Sequence, residues 1–151
     1  MIQNIDWQDD SIVKRLYQLQ REAYLVEARL INFYDIPPLQ ETLSEFRNCG
    51  ESFIGFFEQG ELAGAVSYTV DSQELTICRM VVDPNFFRKG IAQNLLAAVE
   101  NVHPDSKVIY VSTGKDNIPA KSLYLKNGFK LTSDIEVAPN FYMSQFQKKK
   151  E

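Results

Sequence analysis

Two stretches of the chain carry residue types whose order and spacing suit chemistry on an anionic ligand. The first is Met80-Val81-Val82-Asp83-Pro84-Asn85-Phe86-Phe87-Arg88-Lys89-Gly90-Ile91-Ala92. It reads as a buried strand, a proline-marked turn, a basic loop and the start of an amphipathic helix. A helix start exposes unpaired backbone N–H groups and the positive end of the helix dipole, which together make an anion site. Gly90 lets the backbone approach a bulky phosphate, Ala92 keeps the next turn clear of side-chain bulk, and Arg88 and Lys89 add charge. The same residues would also serve a plain strand-to-helix connection. Neither G-x-G-x-x-G nor G-x-x-x-x-G-K-S/T occurs, so the common nucleotide-binding loops fit less well.

The second stretch is Asn117-Ile118-Pro119-Ala120-Lys121-Ser122-Leu123-Tyr124-Leu125-Lys126-Asn127-Gly128-Phe129. Asn117 suits an N-cap, and Pro119 falls in the first helical turn, where its missing N–H costs little. Ala120, Leu123 and Tyr124 share one helix face. Gly128 is placed to end the helix in the left-handed conformation before a strand begins at Phe129. Taken alone, this is a capped helix whose tyrosine belongs to the core.

The elements around these stretches follow from periodicity. Ile12, Leu16, Leu19, Ala23, Val26 and Leu30 recur at helical spacing and predict an amphipathic helix from Ser11 to about Asn32, ending before Pro37-Pro38. A shorter helix is expected from Leu39 to about Asn48. Ser52 to Glu58, Glu61 to Val70 and Glu74 to Val82 then read as three strands of an antiparallel meander, broken at Gln59-Gly60 and Asp71-Ser72. Helical spacing returns from Gly90 to about Val102. Val108 to Val111 is a strand that makes a crossover unit with the helix before it. After the helix from Asn117 to Asn127, Phe129-Lys130-Leu131 and Phe141 to Phe146 supply the last strands. The fold class is α+β: a mixed, mostly antiparallel sheet flanked by helices, with one parallel strand pair inside it.

Composition bounds the function. A chain of 151 residues with a 44% hydrophobic share fits one domain spanning residues 1–151. A net charge of −4 implies no broad basic surface for nucleic acid, and Lys148-Lys149-Lys150 reads as a solvated tail. No apolar run approaches the roughly 20 residues of a membrane span, and the first residues do not form a signal peptide. Cys49 and Cys78 lack metal-ligand spacing, so no metal is expected and the cytoplasm is the default location. Cys78 reads as a small buried thiol, and His103 as a structural or surface residue.

Together the two stretches resemble the GNAT superfamily of N-acetyltransferases. The family's phosphate loop reads R/Q-x-x-G-x-G/A after a V-x-P strand end; here Phe87-Arg88-Lys89-Gly90-Ile91-Ala92 follows Val82-Asp83-Pro84, with Phe87 in the place of the usual Arg or Gln. The second signature, N-x-x-A-x-x-L-Y-x-K-x-G-F, is present at every fixed position from Asn117 to Phe129. The resemblance covers Leu75 to Phe129 firmly and the flanks by general layout. It implies that amides from Arg88, Lys89, Gly90, Ile91, Ala92 and Gln93 cradle the pyrophosphate of acetyl-CoA. It also implies that the backbone of Met80, Val81 and Val82 binds the pantetheine arm as an added strand does, with Asn117 ordering the nearby loop.

The reaction implied is direct transfer of acetyl from acetyl-CoA to an amine of a small molecule or peptide. In relatives the strand before the phosphate loop and the next parallel strand splay apart with the thioester in the gap, so the resemblance implies a splayed parallel pair here. A backbone N–H near Met80 or Val81 would stabilise the oxyanion, and Tyr124 would protonate the departing thiolate. Glu74 is the best carboxylate for a general base, although water could take that part. In relatives the first helices and the loop between them wall the acceptor pocket, which here places Tyr24, Phe33, Tyr34, Asp35, Ile36 and Pro37 there, with Tyr34 and Asp35 as acceptor-binding candidates. A homodimer is common among relatives. A non-catalytic acyl-CoA sensor of the same fold is the alternative.

Overall fold

A computed structural model describes residues 1–87 and 89–150. Its centre is a seven-stranded sheet in the order β1-β2-β3-β4-β5-β7-β6. The strands are β1 (Ile2–Asn4), β2 (Ser52–Glu58), β3 (Glu61–Asp71), β4 (Glu74–Val82), β5 (Val108–Gly114), β6 (Lys130–Ala138) and β7 (Phe141–Lys149). Every neighbouring pair is antiparallel except β4–β5, which is parallel, as the fold class expected.

Helices cover both faces. On one lie α1 (Asp10–Ile31), α2 (Pro37–Gln40) and α3 (Leu43–Arg47); on the other lie α4 (Ile91–Glu100) and α5 (Ile118–Lys126). The α4 face is the larger core, where Leu95, Leu96, Val99 and Ile91 pack on Ile54, Val66, Leu75, Ile77, Ile109 and Val111. Gly64 permits the close approach of α4 to β3: a Cβ there would stand 2.8 Å from Ile91 Cγ2 and 3.0 Å from Val81 O. On the α1 face, Val13, Leu16, Leu19 and Phe46 meet Phe53, Leu62, Ala65 and Val81.

Several expectations need correction. The buried stripe of α1 is Val13, Leu16, Leu19, Gln20, Ala28 and Ile31, rotated from the predicted one, and Leu30 is 51% exposed. Two polar positions on the sheet-facing side, Gln20 and Glu27, disguised this phase. The single helix expected from Leu39 is two short ones, because Glu41 is extended and Thr42 caps α3 through a reciprocal pair with Glu45. Strand β1 was not expected, and the β6–β7 hairpin is much longer than the sequence pattern indicated. Lys148 and Lys149 are not a solvated tail but belong to β7, where Lys148 pairs with Glu100 at 2.6 Å. Cys78 is exposed rather than buried. His103 shares a hydrogen bond of 3.0 Å with Ser106 in the turn after α4, a structural placement. No helix among the described residues is long and apolar enough to cross a membrane.

Candidate active site

The parallel pair β4–β5 is short. Its register runs from Glu74↔Val108 to Ile77↔Val111 and then stops, while β4 continues to Val82 and β5 to Gly114. Beyond Ile77, β4 is held by β3 alone, so the polar backbone groups on its other edge have no strand partner. A β-bulge marks the parting: Ser67 pairs with Arg79 but Tyr68 with Ile77, leaving Cys78 as the extra residue. The bulge also resets the side-chain alternation. Leu75, Ile77, Met80 and Val82 face α4, whereas Arg79 and Val81 face α1.

At the end of β4 the chain turns sharply. Asp83, 3% exposed, accepts from Asn85 N–H at 2.9 Å and from Arg15 Nη2 at 2.7 Å, fixing the turn against α1. A short 3-10 segment, Pro84–Phe86, follows. Gly90 then caps α4 at φ +72°, ψ +18°, the left-handed region that favours glycine, with open space where a Cβ would stand. Among the described residues no side chain caps this helix start, leaving the first-turn N–H groups of Ile91, Ala92 and Gln93 for a ligand. Lys89 lies over the Phe86 ring and 3.5 Å from Glu58. The Gln93 side chain is engaged elsewhere, in a reciprocal amide pair with Asn127 at 2.7 and 2.9 Å that ties α4 to the end of α5. Phe87 is 46% exposed. Arg88 lies outside the described residues.

On the other side of the gap, Asn117 Oδ1 accepts from Ala120 N–H at 3.3 Å and starts α5 where β5 ends. This cap aims Tyr124, two turns on, into the core against Phe129 and Phe146, with ring centroids 5.7 and 5.8 Å apart. Tyr124 is 3% exposed. Burial, aided by the charge of Glu27, raises its phenol well above the ordinary tyrosine value. It therefore holds its proton throughout the neutral range, as a proton donor must.

Glu27 was not singled out in the sequence. It is half-buried on α1, with Asn117 beside it, and burial lifts its carboxyl above the ordinary range while Asn117 works the other way. Tyr24, one turn earlier, feels Glu27, Arg79 and Tyr124, and burial raises its phenol strongly. The signal that was available was a carboxylate on the sheet-facing stripe of an amphipathic helix, at a position where an apolar residue would be expected.

The structure thus packs Met80, Val82, Ile91 and Tyr124 into one cluster, with Gly90 at the start of α4 and Asn117 at the start of α5. It does not bring Glu74 there. Glu74 pairs with Asp71 beside the β3–β4 turn and with Val108 at the closed end of the parallel pair, six residues before Met80, and accepts from Tyr110 at 3.5 Å. Tyr34 and Asp35 are exposed on the loop after α1, with Tyr34 at 52%. Phe33 instead stacks on Phe141 at 4.2 Å and closes the core below that loop, while the side chain of Pro37 lies outside the description. Among the described residues no three His, Cys, Asp or Glu side chains converge as a metal ion would require.

The chain is similar in sequence and in fold to known proteins. Residues 13–129 match the family described as acetyltransferase (GNAT). UPF0157 protein YqkA of Bacillus subtilis strain 168 is 36% identical over 146 residues, which is 97% of this chain and 43% of that protein. The chain spans about half the length of the curated relatives it matches. The PaiA N-acetyltransferase of Thermoplasma acidophilum, in a crystal structure with coenzyme A, superposes with a TM-score of 0.81 at 18% identity, over 99% of this chain and 98% of that one. The ribosomal-protein-S18-alanine N-acetyltransferase of Escherichia coli gives a TM-score of 0.80 at 15% identity, over 99% and 92%. At these identities the likeness is one of fold.

Proposed function

The chain belongs to the GNAT family of acetyltransferases, and we propose that it moves an acetyl group directly from acetyl-CoA to a primary amine of a small molecule or peptide. The observation that carries this reading is the parting of β4 from β5 beyond Ile77, with an uncapped helix start at Gly90 on one side and the buried phenol of Tyr124 on the other. The residues present fit the cosubstrate. The free edge of β4 at Met80, Val81 and Val82 suits an extended amide-bearing arm, and the N–H groups of Ile91, Ala92 and Gln93, with Lys89 nearby, suit a pyrophosphate.

Acetyl-CoA supplies the acetyl group as a thioester. Each other part falls to the chain. An N–H near Met80 or Val81 donates to the oxygen that gathers charge, Tyr124 gives its proton to the sulfur, and Asn117 keeps α5 in place behind that phenol. The acceptor approaches from the α1 side of the sheet, and residues 1–151 act as one acetyltransferase domain.

Two measurements test the binding half. Acetyl-CoA at 100 times its Kd is expected to stabilise the protein by about 2.7 kcal/mol, seen as a rise of several degrees in Tm; a flat Tm would remove the reading. Gly90→Val forces a β-branched residue into the left-handed region and places its methyls over the helix start. A loss of roughly tenfold or more in acetyl-CoA affinity is expected from the methyls that cover the helix-start N–H groups, while the strain of about 1–2 kcal/mol lowers stability instead. Wild-type affinity in a folded Gly90→Val protein would show that this loop does not hold the pyrophosphate.

A further inference from the structure

Helix α1 crosses the gap between β4 and β5, and two anchors show where. At Gln20 it is tied to β4, since Arg79 Nη1 donates to Gln20 Oε1 at 2.6 Å. At Ile31 it lies over the end of β5, where a Cβ on Gly114 would stand 3.4 Å from Ile31 Cδ1. Between these anchors the helix rises roughly 16 Å. Gln20, Tyr24, Glu27, Ala28 and Ile31 share one stripe at helical spacing, so Tyr24 and Glu27 project toward the interval where the strands have separated.

Groups from the far side of the sheet meet them there. The Glu27 side chain is beside Asn117, the cap of α5, and its charge acts on the phenols of Tyr124 and Tyr24. No Lys, Arg or His forms an ion pair with Glu27 among the described residues. The nearest guanidinium on β4, that of Arg79, is taken by Glu41 and Glu51. A half-buried carboxylate with no cation is costly to keep, and the side chain that favours its charged form is the neutral amide of Asn117.

Resting on the acetyl-transfer reading above, we propose that Glu27 is the general base, taking the proton of an acceptor that arrives as an ammonium ion on the α1 side of the gap. The freed nitrogen lone pair forms the N–C bond as the thioester C–S bond breaks. The departing sulfur takes the Tyr124 proton, and the second proton lost from nitrogen restores the phenol. The proton on Glu27 leaves to water, so the sum is one amide, one thiol and one proton. An unpartnered carboxylate between two tyrosines also selects a cationic amine over a neutral nucleophile. Tyr24 on its own helix and Tyr124 of α5 are the titratable groups facing Glu27. Burial lifts its carboxyl above the ordinary carboxylate value, the direction that suits a base.

The test compares wild type, Glu27→Gln and Glu27→Asp in thiol release from acetyl-CoA across a panel of an alkyl monoamine, a polyamine and a peptide with a free N-terminus. For wild type, kcat/KM rises with pH through the Glu27 ionisation. Glu27→Gln is expected to lose about 10²-fold or more of kcat/KM together with that acidic limb, and Glu27→Asp to keep the limb and part of the rate. Acetyl-CoA affinity by calorimetry stays unchanged in both. The Tm of Glu27→Gln at neutral pH stays level or rises. A carboxyl raised on folding contributes its full stabilisation below its unfolded pKa, and that contribution is lost as pH climbs through the folded one. Wild-type rate with the acidic limb intact in Glu27→Gln overturns the assignment, as does a rate loss accompanied by lower Tm and weaker acetyl-CoA binding. A wild type that binds acetyl-CoA but acetylates no amine of the panel overturns the amine-transfer reading and this assignment with it.

Discussion

Tyr124→Phe is expected to lower the turnover rate by about 10²–10⁴-fold while leaving acetyl-CoA affinity nearly unchanged. The variant keeps the ring contacts with Phe129 and Phe146 and removes only a hydroxyl. The loss corresponds to about 3–5 kcal/mol of transition-state stabilisation. A proton given to the sulfur as the C–S bond breaks neutralises the departing thiolate and keeps it from returning to the carbonyl. Burial and the neighbouring Glu27 keep Tyr124 in its proton-bearing form, so its contribution should not fade on the alkaline side until well above neutrality. Steady-state kinetics at saturating acetyl-CoA decides the matter: an unchanged kcat in Tyr124→Phe would show that water or the acceptor carries the proton.

Arg79→Leu is expected to destabilise the fold by about 3–5 kcal/mol, lowering Tm by roughly 10 °C. The guanidinium is 10% exposed, and all five of its N–H donors are used. Nε and Nη2 donate to Glu51 at 2.9 and 3.1 Å, Nη1 and Nη2 to Glu41 at 2.6 and 2.9 Å, and Nη1 to Gln20 at 2.6 Å. Ser67 Oγ completes the cluster by donating to Glu51 at 2.6 Å, and the Phe46 ring lies under the cation at 5.3 Å.

Removing Arg79 leaves two largely buried carboxylates facing each other without a cation, which is far worse than removing the whole cluster. The companion variant Arg79→Met/Glu41→Gln/Glu51→Gln should therefore recover most of the lost Tm. Glu41 supplies a pH signature. Arg79 depresses its carboxyl below the ordinary value, so the stability it contributes is present above its unfolded pKa and disappears as pH falls through the folded one. Wild type should lose that contribution on acidification, and Arg79→Leu should have none to lose. Equal Tm in wild type and Arg79→Leu at neutral pH would mean that the cluster adds nothing to stability. The cluster sits one helical turn from Tyr24, so it also sets where α1 crosses the gap.

The starts of α4 and α5 were legible because their information is local. Proline after a strand, glycine at a left-handed helix start and asparagine at an N-cap each act within a few residues of themselves, and Gly90 and Asn117 lie where such rules place them. Strands β2 and β4 were likewise readable to their ends, since turn residues bound them. Long-range pairing was not readable. The β6–β7 hairpin extends past its apolar segments because an edge strand is held by backbone bonds that no side-chain pattern announces. Lys148 pointed to solvent by composition and to Glu100 by register.

Opposite sides of the gap were decided at different levels. Tyr124 is placed by its own helix, and the order of residues from Asn117 to Phe129 is enough to put it in the core. Glu74 and Glu27 are placed by the sheet. The bulge at Cys78 and the early end of the β4–β5 pairing decide which end of β4 opens, and that leaves Glu74 at the closed end. The phase of α1 over that opening is fixed by Arg79 reaching Gln20 across 59 residues of sequence, a contact that no local periodicity contains. The sequence by itself determined the left-handed glycine that starts α4 and the capped α5 that packs Tyr124 into the core. Tertiary packing alone decided which carboxylate faces the reacting gap, because that choice depends on where two strands part and a helix crosses them.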